Sequence, residues 1–194
     1  MSIKDQEWLI ESLEAGGVIL CPTDTIRGLS CDATNSTAVE KIFEIKQRPK
    51  EKSVIVLMAS EEMLAEHGVE LNGMQKEFLE AAQKPTTIIL DGVQWLAPEV
   101  YHANGSVGVR IVRDREDNPW AHWVHELMVA YGKPLVSTSA NISGDSSPRL
   151  FHEISEEIVT QVDGYPEPEI TKIVGQSSKI VRIDTDGAVH ILRE

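Results

Sequence analysis

Short apolar runs alternate along the chain with stretches whose apolar residues recur at helical spacing, and this alternation narrows the fold more than any other feature. Residues 18–21, 53–58, 86–90, 107–112 and 134–137 read as buried strands because each is a brief aliphatic or β-branched run. Between them, Trp8, Leu9 and Leu13 form a helical stripe over 5–15, stopped by Gly16 and Gly17. Ala38, Val39, Ile42, Phe43 and Ile45 form a second stripe, opened by Asn35 and closed before Pro49. Further helices are predicted over 60–67, 72–83, 120–131 and 155–162, with Gly132 ending the third of these. Residues 170–174, 179–183 and 188–192 read as closing strands, the last two joined through Asp186-Gly187. Residues 166–170, Pro-Glu-Pro-Glu-Ile, read as a rigid acidic surface loop. About seven or eight strands and five or six helices predict one α/β layer protein with a mixed sheet. No repeat or linker divides residues 1–194, so a single domain is expected.

Charge decides what such a fold can hold. The 194 residues carry 31 acidic and 18 basic side chains, a net charge of −13. Broad, nonspecific phosphate contact with nucleic acid is therefore disfavoured, and any anion site must be local. No apolar run approaches a membrane span and no basic–apolar leader opens the chain, so a cytoplasmic protein is expected. Cys21 and Cys31 match no zinc spacing and read as reduced, partly buried thiols. His122 and His125 share a helix face without a third ligand, so no metal site is expected. Trp120 and Trp123, on the same helix, read as core or as a partner surface.

Three polar segments follow apolar elements, at strand or helix ends where ligands of α/β sheets collect. Segment 22–28, Pro-Thr-Asp-Thr-Ile-Arg-Gly, brings two hydroxyls and a carboxylate out of a buried strand. The same residues also suit a turn in which Thr23 and Asp24 cap local backbone groups. Segment 46–52 holds four cations, Lys46, Arg48, Lys50 and Lys52, with one anion. The helix dipole accounts for one or two of them; four point to a local anion such as a nucleotide phosphate. Segment 137–144, Ser-Thr-Ser-Ala-Asn-Ile-Ser-Gly, offers four hydroxyls and an amide, which suits phosphate oxygens as well as an ordinary Ser/Thr turn. No Walker loop, dinucleotide fingerprint or nucleophile elbow occurs.

Taken together, Pro-Thr-Asp-Thr-Ile-Arg-Gly-Leu-Ser-Cys-Asp-Ala over 22–33, Ile-Lys-Gln-Arg-Pro over 45–49 and Ser-Thr-Ser-Ala-Asn-Ile-Ser-Gly over 137–144 resemble the YrdC/TsaC family, in order as well as in content. The resemblance runs from about residue 9 to about residue 183. It implies a twisted open mixed sheet with helices packed on it and a concave ligand face. It also implies a threonylcarbamoyl-AMP synthase, a nucleotidyltransferase using L-threonine, bicarbonate and ATP. Magnesium would travel with the ATP, and a partner transferase would place the product on tRNA. By resemblance, Lys46 and Arg48 would clamp phosphates and offset charge developing in the reaction. Ser139 and Asn141, with Ser137 and Thr25, would hold the nucleotide. Arg110 would pair with the threonine carboxylate, and Thr23 and Ser178 would complete the amino-acid site. Some relatives carry a second C-terminal domain, for which this chain ends too soon.

The chain also departs from that pattern. Arg27 stands where most relatives have an aromatic, Ser177 stands for a proline, and Lys179 follows Ser178 in place of a threonine. These departures keep open a divergent paralogue that binds ATP with another amino acid. A third reading is a module for double-stranded RNA. The charge and the lack of interleaved aromatic and basic residues oppose it.

Overall fold

A computed structural model describes residues 3–49, 51–52, 54–115, 117–166 and 176–194. The helices begin where local chemistry starts them. α1 (Ile3–Glu14) packs Leu9 and Leu13 inward. α2 (Ser36–Ile45) is capped by Asn35, whose side chain accepts from the Ala38 amide at 3.2 Å. Its stripe, Ala38, Val39, Ile42, Phe43 and Ile45, is buried, and a side chain such as Phe43 contributes roughly 1.5–3 kcal/mol by leaving water. α3 (Glu62–Ala65) is a single turn. α4 (Gly73–Ala81) opens on a reciprocal capping box between Asn72 and Gln75. α5 (Pro119–Tyr131) starts at Asn118, which accepts from the Trp120 and Ala121 amides, and stops at Gly132 with φ 74°. α6 (Glu156–Val159) is another short turn, capped by Ser155.

Eight strands form one sheet among the described residues. They are β1 (Ile19–Cys21), β2 (Gly28–Asp32), β3 (Ile55–Met58), β4 (Thr86–Leu90), β5 (Val107–Ile111), β6 (Leu135–Ser139), β7 (Lys179–Ile183) and β8 (Val189–Arg193). Their order is β1-β2-β6-β3-β5-β4-β7-β8. The β3–β5 and β4–β7 pairs are parallel and the rest antiparallel, so the sheet is mixed as expected. The expected strand over 170–174 and most of the loop over 166–170 lie outside the described residues.

α3 and α6 are shorter than the helices expected over 60–67 and 155–162, and two strands differ from the sequence reading as well. β2 is absent from it, because Gly-Leu-Ser-Cys-Asp carries no β-branched residue. Pairing on both sides, with β1 and β6, makes it a strand. β6 also runs two residues beyond its predicted end, so that Ser137 and Ser139 stand two apart on one face of the sheet rather than in a loop.

Strand alternation then divides the two faces. Leu29, Cys31, Val56, Met58, Ile88, Val107, Val109, Val136 and Val181 face the main core with α2. The opposite face is covered only in part. Ile19, Cys21, Leu57 and Leu135 pack beneath α1 and α5. Beyond those helices the same face carries Ile55, Thr87, Ile89, Gly108, Arg110, Ser137, Ser139 and Ile180, and here the molecule opens.

Candidate active site

The uncovered part of the sheet forms the floor of a cavity of about 430 Å³. Gly108 keeps that floor low. A Cβ there would lie 3.2 Å from Thr87 Cγ2 and 3.4 Å from Ile55 Cγ2, because β4 and β3 flank it. Ile55, Ile89 and Ile180 give the floor an apolar patch. Around it stand Thr25, Arg48, Lys52, Arg110, Ser137, Ser139, Ser178 and Arg193.

Arg110 projects from β5, an interior strand, and is 2% exposed. Its Nη2 lies 3.0 Å from Asp24 Oδ1 and its Nη1 donates to Thr25 Oγ1 at 3.3 Å. Its Nε makes no hydrogen bond among the described residues. A buried guanidinium with a spare donor beside a cavity is suited to a carboxylate. Thr23 does not line the cavity. It is buried, and its hydroxyl donates to the Ile26 carbonyl at 2.6 Å while accepting from the Thr25 and Ile26 amides. With its one proton so used, the 3.0 Å contact between the two threonine hydroxyls runs from Thr25 to Thr23. Thr25 is thereby oriented with its oxygen toward Arg110.

Ser178 Oγ lies 2.8 Å from Thr87 Oγ1. Arg193, on β8, brackets Ser178, donating to its carbonyl through Nε and Nη2 at 3.0 and 2.8 Å and to its hydroxyl at 3.2 Å. Burial, and then the Arg110 charge, lower the Arg193 pKa, a sign that two guanidiniums share this corner. Nothing in the local sequence marks Arg193 as a site residue. It is the penultimate residue, and only the β7–β8 pairing brings it back to the cavity.

On the other wall, Arg48 lines the cavity and its Nε donates to the Lys52 carbonyl at 2.9 Å. Burial lowers its pKa. Lys46 turns elsewhere. It is 1% exposed, and its ammonium donates to the carbonyls of Ser139 and, at 2.7 Å, Asn141. Burial first, and Arg48 second, push its pKa down to about 8. Asn141 is half-buried and donates to the Ile142 and Asp145 carbonyls at 2.8 and 2.9 Å, shaping its own loop. Lys50 lies outside the described residues. The cavity therefore gathers Thr25, Arg48, Arg110, Ser137, Ser139 and Ser178 from the expected set. Thr23, Lys46 and Asn141 stand one layer behind it.

Of the residues that depart from the family pattern, Ser177 lines the cavity beside Ser178, whereas Arg27 and Lys179 do not. Arg27 is 3% exposed, with its guanidinium carbon 5.7 Å from the Trp120 ring centroid and 5.8 Å from that of Phe151. Lys179 reaches toward the Glu194 carboxylate at 3.5 Å. Both cysteines are free and fully buried; burial raises the Cys21 thiol to about 11 and Cys31 further, so neither offers a thiolate. Asp114, His122 and Glu126 form an exposed cluster elsewhere, with His122 Nδ1 2.8 Å from Asp114 Oδ1.

Comparison with known proteins gives the family and the fold. Residues 11–194 match the family Sua5_yciO_yrdC, described as "Telomere recombination". A threonylcarbamoyl-AMP synthase of Marinobacter nauticus is 37% identical over 155 residues, spanning 79% of this chain and 78% of that protein. One from Vibrio campbellii is 32% identical over 160 residues, spanning 80% and 82%. Among solved structures, P. abyssi Sua5 complexed with L-threonine superposes with a TM-score of 0.82 at 24% identity. It is matched over 97% of this chain, which spans about half (53%) of that protein. E. coli YciO gives 0.78 at 22% identity, over 97% of this chain and 88% of its own.

Proposed function

The chain belongs to the Sua5/YciO/YrdC family, and from that premise we propose that it is an L-threonylcarbamoyladenylate synthase. The threonine amine takes up bicarbonate with loss of water to give N-carboxythreonine. The new carboxylate oxygen then forms a bond to the α-phosphorus of ATP as the bond to the β-phosphate oxygen breaks and pyrophosphate leaves. The observation that carries this reading is that one cavity is lined by Arg110 and Ser178 together with Arg48, Ser137 and Ser139. An amino acid on one wall and a triphosphate on the other would meet over its floor.

Arg110 would bind the threonine carboxylate, with Thr25 and Ser178 as polar neighbours. Arg48 would face the phosphates and offset the charge passing to pyrophosphate, while Ser137 and Ser139 orient them with neutral donors. The carbamate is already an anion, so positioning and electrostatics supply the catalysis and no dedicated base is needed. Magnesium would arrive on the nucleotide. Among the described residues lining the cavity Glu51 is the one carboxylate, so this chain's own contribution to the metal is small. The product would pass to a transferase acting on tRNA, and a cytoplasmic location follows from ATP and tRNA. A paralogue acting on another amino acid would be expected to differ at the lining. Arg27 and Lys179 lie outside it and Ser177 lies within it beside Ser178, so product analysis with alternative amino acids separates the two readings.

Pyrophosphate release tests the reading. It should require threonine, bicarbonate and ATP together and should fall in Arg48→Ala and Ser139→Ala. Release that ignores threonine would refute it.

A further inference from the structure

Lys46 and Arg48 are one residue apart and serve different surfaces. α2 ends at Ile45, and between the two cations Gln47 adopts φ 48°, the left-handed region that side chains other than glycine rarely take. This turn separates its neighbours. Arg48 goes to the cavity wall. Lys46 goes under the segment that follows β6, where its ammonium meets two carbonyls and its own carbonyl accepts from the Ser143 amide at 2.9 Å. A loop that wraps an anion must turn its carbonyl oxygens away from the ligand, and those oxygens then need donors. An ammonium has three, and two are already committed here.

We propose that Lys46 is a positioning residue: it acts on the nucleotide through the 139–144 loop, gathering the Ser139 and Asn141 carbonyls beneath it so that Ser139 is held on the cavity wall. Gln47 is the strained corner that frees Lys46 for this task while leaving Arg48 to face the phosphates. The inference rests on a nucleotide occupying the cavity, but the contact itself can be tested without one.

In the unaltered protein, reductive methylation read by mass spectrometry should modify Lys46 at least about ten-fold more slowly than Lys76, which is exposed and away from the cavity, with or without ATP. Ready methylation of Lys46 that ATP abolishes would mean a lysine touching phosphate directly and would overturn the proposal. In Lys46→Met without nucleotide, amide exchange over 139–144 should rise about ten-fold or more, with β4 and β5 amides unchanged. Unchanged loop exchange would overturn it. ATP affinity should fall to the same level in Lys46→Met, Ser139→Ala and the double variant, because both act through one loop. Losses that multiply would mark Lys46 as an independent phosphate contact. If the unaltered protein bound no ATP, the nucleotide reading would fall, and methylation and exchange would still decide whether Lys46 holds the loop.

Discussion

Replacing Arg110 by Met should separate stability from recognition in one variant. The side chain is 2% exposed and its partner Asp24 is 9% exposed, so their 3.0 Å pairing is little weakened by solvent. Removing one member of a buried pair costs about 3–5 kcal/mol when the other is stranded. Asp24 also borders a second groove with Arg115 and Asn118 and can regain water there, which places the expected loss nearer about 2–3 kcal/mol. Arg110→Met/Asp24→Asn removes the stranded charge and should recover at least about 1 kcal/mol relative to the sum of the single changes. Urea unfolding measures all three. The same Arg110→Met protein should lose about 1.5–3 kcal/mol of carboxylate binding, seen as a roughly ten- to hundred-fold rise in the KM for threonine with that for ATP little changed. A KM for threonine that stays put, or additive stability losses, would refute the pairing argument.

Gly28→Ala places a Cβ 2.9 Å from the Thr138 carbonyl and 3.2 Å from Ser137 Oγ, so the β2–β6 pairing must shift; the expected loss is about 1–3 kcal/mol by chemical denaturation, with ATP affinity falling as well. At Gln47, Gly relieves the left-handed strain and should be neutral or stabilising by up to about 1 kcal/mol, whereas Val should cost about 1–2 kcal/mol in thermal unfolding. Lys46 has its pKa lowered from 10.5 to about 8 in the fold, so its buried charge opposes folding fully below pH 8 and less as pH rises toward 10.5. Across that window the unaltered protein should gain up to about 3 kcal/mol relative to Lys46→Met, measured by urea unfolding at each pH. Asn35→Ala should cost about 1 kcal/mol through loss of the α2 cap.

Helices were legible where their signals are local. Asn35, Asn72 and Gly132 act within one turn of themselves, and the structure uses each as a stop or start. Strands were legible where β-branched residues concentrate, as over Thr86–Leu90 and Lys179–Ile183. β2 was not, because its conformation comes from two partners distant in sequence. The polar lining of the cavity was largely legible as three hydroxyl-rich or basic segments. Its inner organisation was not. Whether Lys46 or Arg48 faces the ligand depends on one backbone angle at Gln47, which composition does not encode. Arg193 carries no local signal of a site, because its guanidinium meets Ser178 only through the pairing of β8 with β7. The alternation that sends Arg110, Ser137 and Ser139 to one face becomes a site only because α1 and α5 cover the other end of that face.

The central claim is that one cavity joins an amino acid, bicarbonate and ATP. Incubating the purified chain with ATP, magnesium, L-threonine and isotopically labelled bicarbonate, then identifying the nucleotide products by mass spectrometry, tests it most directly. Threonylcarbamoyl-AMP carrying the label, formed with equal pyrophosphate and lost in Arg48→Ala, is the predicted result. ATP that remains intact, or is cleaved without taking up label, would contradict it.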